Sequence, residues 1–325
     1  MKCTSNIKRI ISLILVFCVT LLTGCGSEKL PMRYTEVNKL GVDNNLDNRA
    51  EAFSSDLAVA NEEILGDLGI QVEESSAAGL FDINSRQVLY AKDIHEQFYP
   101  ASLTKIMTAV VALRNSNPED VITCSANVSH LESGATAIGL KSGDQLTMNQ
   151  ALHALLMKSA NDAAIAIAEH VGGSIEGFAD MMNEEALRLG ATNSHFVNPH
   201  GLSDNEHYTT VYDLYLITNE AIKYSDFNEI IHSAEYETVY NDFEGNDIPL
   251  KLSTTNLFLR GDYSAPERVT VIGGKTGTTY AAGNCLDLIV KDPSGNPYIA
   301  IILRASARDV VNTEMADLLR EINSR

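Results

Sequence analysis

Three short stretches of this chain carry hydroxyls, amines and an amide of the kinds that acyl transfer needs. The first is Pro100-Ala101-Ser102-Leu103-Thr104-Lys105. Pro100 disfavours helix before it, so Ser102 is expected in the first turn of the apolar helix that follows. A separation of three residues puts Ser102 and Lys105 on one helical face, a turn apart. A serine hydroxyl is a weak nucleophile until a base takes its proton, and a lysine serves when burial and positive neighbours lower its pKa. The helix N-terminus adds partial positive charge that favours an alkoxide or oxyanion. Taken alone, Ser-x-x-Lys equally describes a helix cap beside a solvated lysine. The second stretch, Ser159-Ala160-Asn161, falls at the seam between two apolar helices. Asn161 or Asp162 as a helix N-cap would explain it, and so would a hydroxyl and an amide facing a cleft. The third is Gly273-Gly274-Lys275-Thr276-Gly277-Thr278-Thr279, after an apolar strand at 269–272. Glycines beside a strand lysine permit a ligand backbone to approach closely. A phosphate-binding loop is excluded, because the four-residue spacer and the following helix are both missing.

The elements that must position these groups follow from hydrophobic period. A hairpin is expected over 77–90 around an Asn84-Ser85 turn. Helices are expected over 102–115, 147–158, 162–170 and 178–189, with another opened by a capping box at Thr210. Strands return at 269–272, 285–290 and 298–303, and a helix over 310–322 ends the chain. Residues 57–65 read as an edge strand or a short helix. Strands at both ends with helices between predict an α+β protein, an antiparallel sheet flanked by helices. Without βαβαβ alternation or a Gly-rich dinucleotide loop, a Rossmann fold is excluded.

In their order and placement, Ser-x-x-Lys, Ser-x-Asn and Lys-Thr-Gly resemble the signature of penicillin-binding proteins and class A β-lactamases. With 101–109, Asn198-Pro199-His200-Gly201-Leu202 and Ala282-Gly283 added, the chain is similar to the low-molecular-mass penicillin-binding proteins. These are the serine D-alanyl-D-alanine carboxypeptidases of peptidase family S11. The resemblance implies a β-lactamase/transpeptidase-like fold with an all-helical subdomain, and an acyl-enzyme formed on Ser102. It makes Lys105 the proton acceptor, Ser159 the relay to the leaving amine and Asn161 the holder of the substrate amide. Lys275 and Thr276 would bind the terminal carboxylate, on a substrate-binding strand that includes Gly277 and Thr278. The backbone N–H groups of Ser102 and Thr278 would form the oxyanion hole. Neither metal nor cofactor is implied. The partners implied are a peptidoglycan stem peptide ending in D-Ala–D-Ala and, as covalent inhibitors, β-lactams. A D,D-endopeptidase of cross-links is the alternative, since one site can break either bond.

Departures and rivals narrow this. Relatives carry an arginine for the substrate carboxylate where ungapped comparison puts Val311; Arg304 and Arg308 are the candidates to replace it. Many relatives continue into a β-rich C-terminal domain, whereas this chain ends 48 residues after Gly277. Residues 53–325 are therefore expected to be a catalytic domain without that addition. A class A β-lactamase needs a glutamate-activated water, and 193–202 contains no Glu. A zinc site from His195, His200, His207 and Asp204 matches no ligand spacing.

The N-terminus adds an address. Lys2, Lys8 and Arg9 precede an apolar run from Ile10 to Leu22, the pattern of an export signal. Its end, Leu22-Thr23-Gly24-Cys25, resembles the lipobox of bacterial lipoproteins. Residues 1–24 are thus expected to be a signal peptide, Cys25 to be lipidated, and 26–52 to be a polar tether. That implies an extracytoplasmic enzyme held at the membrane by lipid. Of the other cysteines, Cys124 and Cys285 are expected to be buried free thiols. A net charge of −19 argues against nucleic acid as a partner.

Overall fold

The computed structural model describes residues 56–324 apart from 61 and 75. The signal peptide, Cys25, the tether and the start of the domain at Phe53 lie outside the described residues.

The chain enters the main sheet by β1 (Ala77–Asp82) and β2 (Gln87–Lys92), joined through 83–86 with Arg86 at φ 59°. A 3₁₀ turn at Ala101–Leu103 then leads into helix α1 (Thr104–Asn115). Next come β3 (Val121–Thr123), β4 (Gln145–Thr147) and α2 (Met148–His153), which runs on as a π-helical turn, Ala154–Lys158. Helices α3 (Asn161–Gly172), α4 (Ile175–Leu189), α5 (Val211–Ala221) and α6 (Ser225–His232) follow. Strands β5 (Glu235–Asn241) and β6 (Asp247–Ser253) form a hairpin, and α7 (Leu257–Arg260) is one turn. The chain returns to the main sheet with β7 (Thr270–Thr279), β8 (Gly283–Lys291) and β9 (Pro297–Ala305). It ends in α8 (Arg308–Leu318) and a 3₁₀ segment, Leu319–Ser324.

Five antiparallel strands make the main sheet in the order β2-β1-β9-β8-β7, so the first hairpin pairs with the last strand. Successive side chains point to opposite faces. One face puts Phe81, Ile299 and Ile301 into the core shared with α1 and α5. The other puts Leu80, Leu288 and Ile302 against Val311 and Met315 of α8. Both faces are covered, which is why β9 reads as a nearly continuous apolar run, and β8 as one interrupted by Asp287, rather than as alternating strands. The Phe81 ring stacks on Tyr215 of α5 at 4.2 Å, fastening the helices to the sheet.

The expected α+β architecture is present, with differences of local origin. The Lys-Thr-Gly residues lie inside β7, since the strand does not stop at 272 but continues past a register shift between Val271 and Gly273. The 102–115 and 147–158 helices are each broken, one by its 3₁₀ start and one by its π-helical end. The described residues of 57–65 form neither strand nor helix and contribute one bridge, Ile64 with Ala91. The small sheet β3-β4-β5-β6 was not foreseen. Thr210 caps α5, accepting from the Asp213 N–H at 3.0 Å, but the expected capping box is incomplete: the Asp213 carboxylate accepts from the Asn193 N–H and the Ser194 hydroxyl instead. Cys124 and Cys285 are free and buried.

Candidate active site

The nucleophile turn is built before the helix begins. Ala101 sits at φ 49°, and the Thr104 hydroxyl donates to the Ala101 carbonyl at 2.8 Å. His207 fixes that hydroxyl: its Nε2 lies 2.8 Å from Thr104 Oγ1, and its Nδ1 accepts from the Val197 N–H at 3.1 Å. Nδ1 is thus an acceptor, so the proton of the neutral ring is on Nε2. Burial brings the His207 pKa down to about 4, which keeps the ring neutral.

Ser102 is partly exposed, whereas Lys105 is fully buried one turn along. Lys105 Nζ has three neighbours: Ser102 Oγ at 3.0 Å, Asn161 Oδ1 at 2.8 Å and the His200 carbonyl at 2.6 Å. Two of these can only accept. A neutral amine spends its two N–H groups on them and turns its lone pair toward the Ser102 hydroxyl. Burial first, and the charge of Lys275 second, hold Lys105 well below the ordinary lysine range.

The His200 carbonyl is a functional group that sequence reasoning missed. Asn198 Oδ1 accepts from the N–H groups of His200 (3.2 Å) and Gly201 (2.7 Å), curling the segment so that its carbonyls face α1. Pro199 O accepts from Thr108 there at 2.7 Å. Gly201 is required, since a Cβ on it would lie 1.8 Å from the Ala101 carbonyl oxygen. The motif was visible in the sequence, but its contribution is made by backbone and carried no side-chain signal.

Ser159 ends the π-helical turn in the left-handed region, at φ 64° and ψ 34°. The chain turns there toward β7, and Lys275 Nζ donates to Ser159 Oγ at 3.0 Å and to the Thr276 carbonyl at 2.8 Å. Burial lowers Lys275 to about 7. Asn161 does not cap α3; its N–H donates to Thr136 O at 2.7 Å while its side chain meets Lys105. Asp162 does not cap it either. Its carboxylate accepts from the N–H groups of Ile138, Gly139 and Leu140, pinning the loop that carries Thr136 over the cleft.

Strand β7 passes directly over the nucleophile turn. A Cβ on Gly277 would lie 3.1 Å from the Ser102 nitrogen and from the Pro100 carbonyl oxygen, so any side chain there would crowd the nucleophile turn. The resulting cleft, about 450 Å³, is lined by Ser102, Ser159, Thr255, Thr276, Thr278 and Arg308 among others. Thr255, also missed from sequence, shares a 2.8 Å hydroxyl–hydroxyl bond with Thr276. Arg308 lies one turn before Val311 on α8 and lines the same cleft. Arg304, its rival for that place, instead lines a separate pocket with Phe98 and Tyr99. His195 bonds through its ring to the Glu206 carbonyl, while burial keeps His200 and His207 neutral. Among the described residues no three His, Cys, Asp or Glu gather as a metal site.

Comparisons with known proteins agree with this architecture. Residues 69–307 match a family model for D-alanyl-D-alanine carboxypeptidase, peptidase S11. D-alanyl-D-alanine carboxypeptidase DacF of Bacillus subtilis is 31% identical over 254 residues, covering 76% of this chain and 61% of that protein. DacC of Escherichia coli is 32% identical over 74% of this chain and 59% of its own length. The chain thus spans about three fifths of the length of these relatives. Among solved structures, the Streptomyces K15 DD-transpeptidase superposes with a TM-score of 0.72 at 26% identity, covering 79% of this chain and all of that one. The D-alanyl-D-alanine carboxypeptidase of Mycobacterium tuberculosis shares the fold, with a TM-score of 0.68 over 79% of this chain and 94% of that one. With the family model matched across most of the domain, the chain belongs to the D-alanyl-D-alanine carboxypeptidase family, peptidase S11.

Proposed function

We propose that the chain is a serine D-alanyl-D-alanine carboxypeptidase that removes the terminal D-Ala from peptidoglycan pentapeptides through an acyl-enzyme on Ser102. The observation that carries this is the Lys105 amine 3.0 Å from Ser102 Oγ, with its other two contacts on carbonyl acceptors. Lys105 takes the hydroxyl proton as Ser102 Oγ attacks the carbonyl of the penultimate D-Ala. The oxyanion that develops is met by the N–H groups of Ser102 and Thr278, a contribution of about 2.7–4 kcal/mol per donor in acyl-transfer enzymes. Ser159, polarised by Lys275, relays the proton from Lys105 to the leaving amine, which returns Lys105 to its neutral form, and free D-Ala departs. Water then attacks the acyl carbon, and the shortened peptide leaves.

Asn161 orients Lys105 through its carbonyl and offers its amide to the substrate. Thr276, with Thr255 behind it, and Arg308 across the cleft hold the terminal carboxylate, while Gly277 lets β7 lie close to the acyl chain. A β-lactam fits the same path and stops at the acyl-enzyme, since 193–202 supplies no glutamate to activate water. We further assign lipidation to Cys25 and an extracytoplasmic, membrane-held location, on the apolar run and Leu22-Thr23-Gly24-Cys25. Cys25→Ser is expected to move the protein from the membrane fraction to the soluble one.

The test is mass mapping after benzylpenicillin together with product analysis from an N-acylated peptide ending in D-Ala–D-Ala. A penicilloyl adduct on the peptide containing Ser102, and stoichiometric release of D-Ala, are expected. An unmodified Ser102, or no D-Ala release, would overturn the assignment.

A further inference from the structure

Arg304 lies outside the catalytic cleft, and its surroundings are built rather than incidental. In the β8–β9 ladder Asn284 pairs with Ala305 and Leu286 with Ile302, so Leu303 and Arg304 together face the single residue Cys285. Arg304 is the extra residue of this bulge, held at φ 63°, a conformation that side chains with a Cβ seldom adopt. Gly283 makes room for it, since a Cβ there would lie 2.8 Å from the Ala305 carbonyl oxygen. Asn284 Nδ2 donates to that same oxygen at 3.3 Å.

The bulge aims the guanidinium at the Phe98 ring, 5.8 Å from its centroid. It closes one side of a pocket of about 310 Å³ that Tyr99, Asn205, Tyr208 and Ala282 also line. The side chain is exposed, and among the described residues no carboxylate is ion-paired with it. Arg86, Arg114, Arg188, Arg260 and Arg320 each hold a carboxylate, whereas Arg304, like Arg268 and Arg308, is in none of these pairs. An unneutralised cation is notable on a chain with 43 acidic and 24 basic residues. A cation–π contact with a ring uses none of the guanidinium N–H groups as hydrogen-bond donors to oxygen, and they keep the fork that a carboxylate fits.

The pocket shares no lining residue with the cleft and is linked to it along the chain at two places. Phe98 and Tyr99 run into the nucleophile turn, and Ala281 and Ala282 follow the end of β7. A donor with its carboxylate at Thr276 and its scissile carbonyl at Ser102 and Thr278 continues, on its N-terminal side, toward 279–282. We propose that this pocket is a subsite for that leader and that Arg304 binds a carboxylate carried on it. The preferred donors are then peptides with an acidic side chain before the D-Ala–D-Ala end. This rests on the reading of Ser102 as the nucleophile and of β7 as the substrate strand.

The experiment compares matched N-acylated peptides with Glu or Gln in the leader, placed at each of the three positions before D-Ala–D-Ala. At one position the Glu donor is expected to exceed the Gln donor about tenfold in kcat/KM at low salt. Arg304→Gln and Arg304→Gly should erase that preference while benzylpenicillin acylates Ser102 at the wild-type rate. The glycine variant suits the backbone at φ 63°, so it keeps the fold. Equal use of both donors at every position, or a preference that survives in both variants, overturns the subsite alone. A protein that neither reacts with penicillin nor releases D-Ala overturns the nucleophile reading, and the subsite with it.

Discussion

At the scale of single residues, the site turns on two buried amines, both held below the ordinary lysine range. Burial first, and then the charge of Lys275, lower Lys105 well below the ordinary lysine range, which favours its neutral form. Acylation requires Lys105 without its proton, so the rate falls as pH drops through a midpoint well below the ordinary lysine range. On the other side, Lys275 loses its charge near pH 7, weakening polarisation of Ser159 and attraction for a carboxylate. A bell-shaped dependence of kcat/KM for D-Ala release is expected, with its alkaline limb near 7; the two limbs belong to the coupled pair. Lys105→Arg tests the assignment more sharply, because a guanidinium keeps its proton at every accessible pH. It should lower the acylation rate about 10²–10⁴-fold, the range for losing a general base. D-Ala release followed across pH measures the first and stopped-flow acylation by a chromogenic cephalosporin the second, and a Lys105→Arg protein near wild-type speed would remove Lys105 as the base.

At the scale of elements, what matters is how a helix is made to end. The π-helical turn of 154–158 stops on Ser159 in the left-handed region, which costs a non-glycine residue roughly 1–2 kcal/mol. That cost is accepted because the turn presents the hydroxyl to Lys275. Ser159→Gly should therefore separate the two quantities: a melting temperature at or above wild type, with acylation slowed about a hundredfold or more. Calorimetry and penicillin labelling check the pair, and a glycine variant that melts well below wild type would sink the strain argument. This turn also shows where sequence reading stops. The three motifs, the order of helices and the strands of the main sheet were legible because apolar period and fixed spacing are local signals. The π-helical turn was not, since Ala154–Lys158 reads as ordinary helix and only Ser159's pairing with a strand 116 residues away ends it. The β5–β6 hairpin escaped for a different reason. Its outer positions carry Glu235, Glu237 and Lys251, only Tyr240, Leu250 and Leu252 are buried, and so few apolar residues leave no clear period. The carbonyls of Pro199 and His200 were hidden because backbone has no letter.

At the scale of the whole molecule, the cleft exists because the sheet edge β7 meets the helical layer, and that meeting buries more polar groups than the chemistry uses. Asp287 is the clearest case. It lies opposite Lys275 in the β7–β8 register, on the sheet face turned to α5, and is fully buried. Thr218 of α5 donates to its Oδ2 at 2.6 Å, while its Oδ1 has no partner among the described residues. Burial raises its pKa to about 7, and the Thr218 bond offsets only part of that. The unfolded chain ionises this carboxyl near 3.9, so between there and 7 the native state binds the proton more tightly. Stability must then fall as pH rises through that window, by about 4 kcal/mol at most, and level off above it. Asp287→Asn keeps the bond from Thr218 and cannot ionise. It should match wild type at pH 4 and exceed it at pH 8, in urea unfolding of the intact domain. Wild-type stability that does not decline relative to the Asn variant between these pH values would mean that a counter-charge reaches Asp287. Such a partner would have to come from the β7 side, where Lys275 is the only buried amine on the strand, and the pH limbs of catalysis would shift with it.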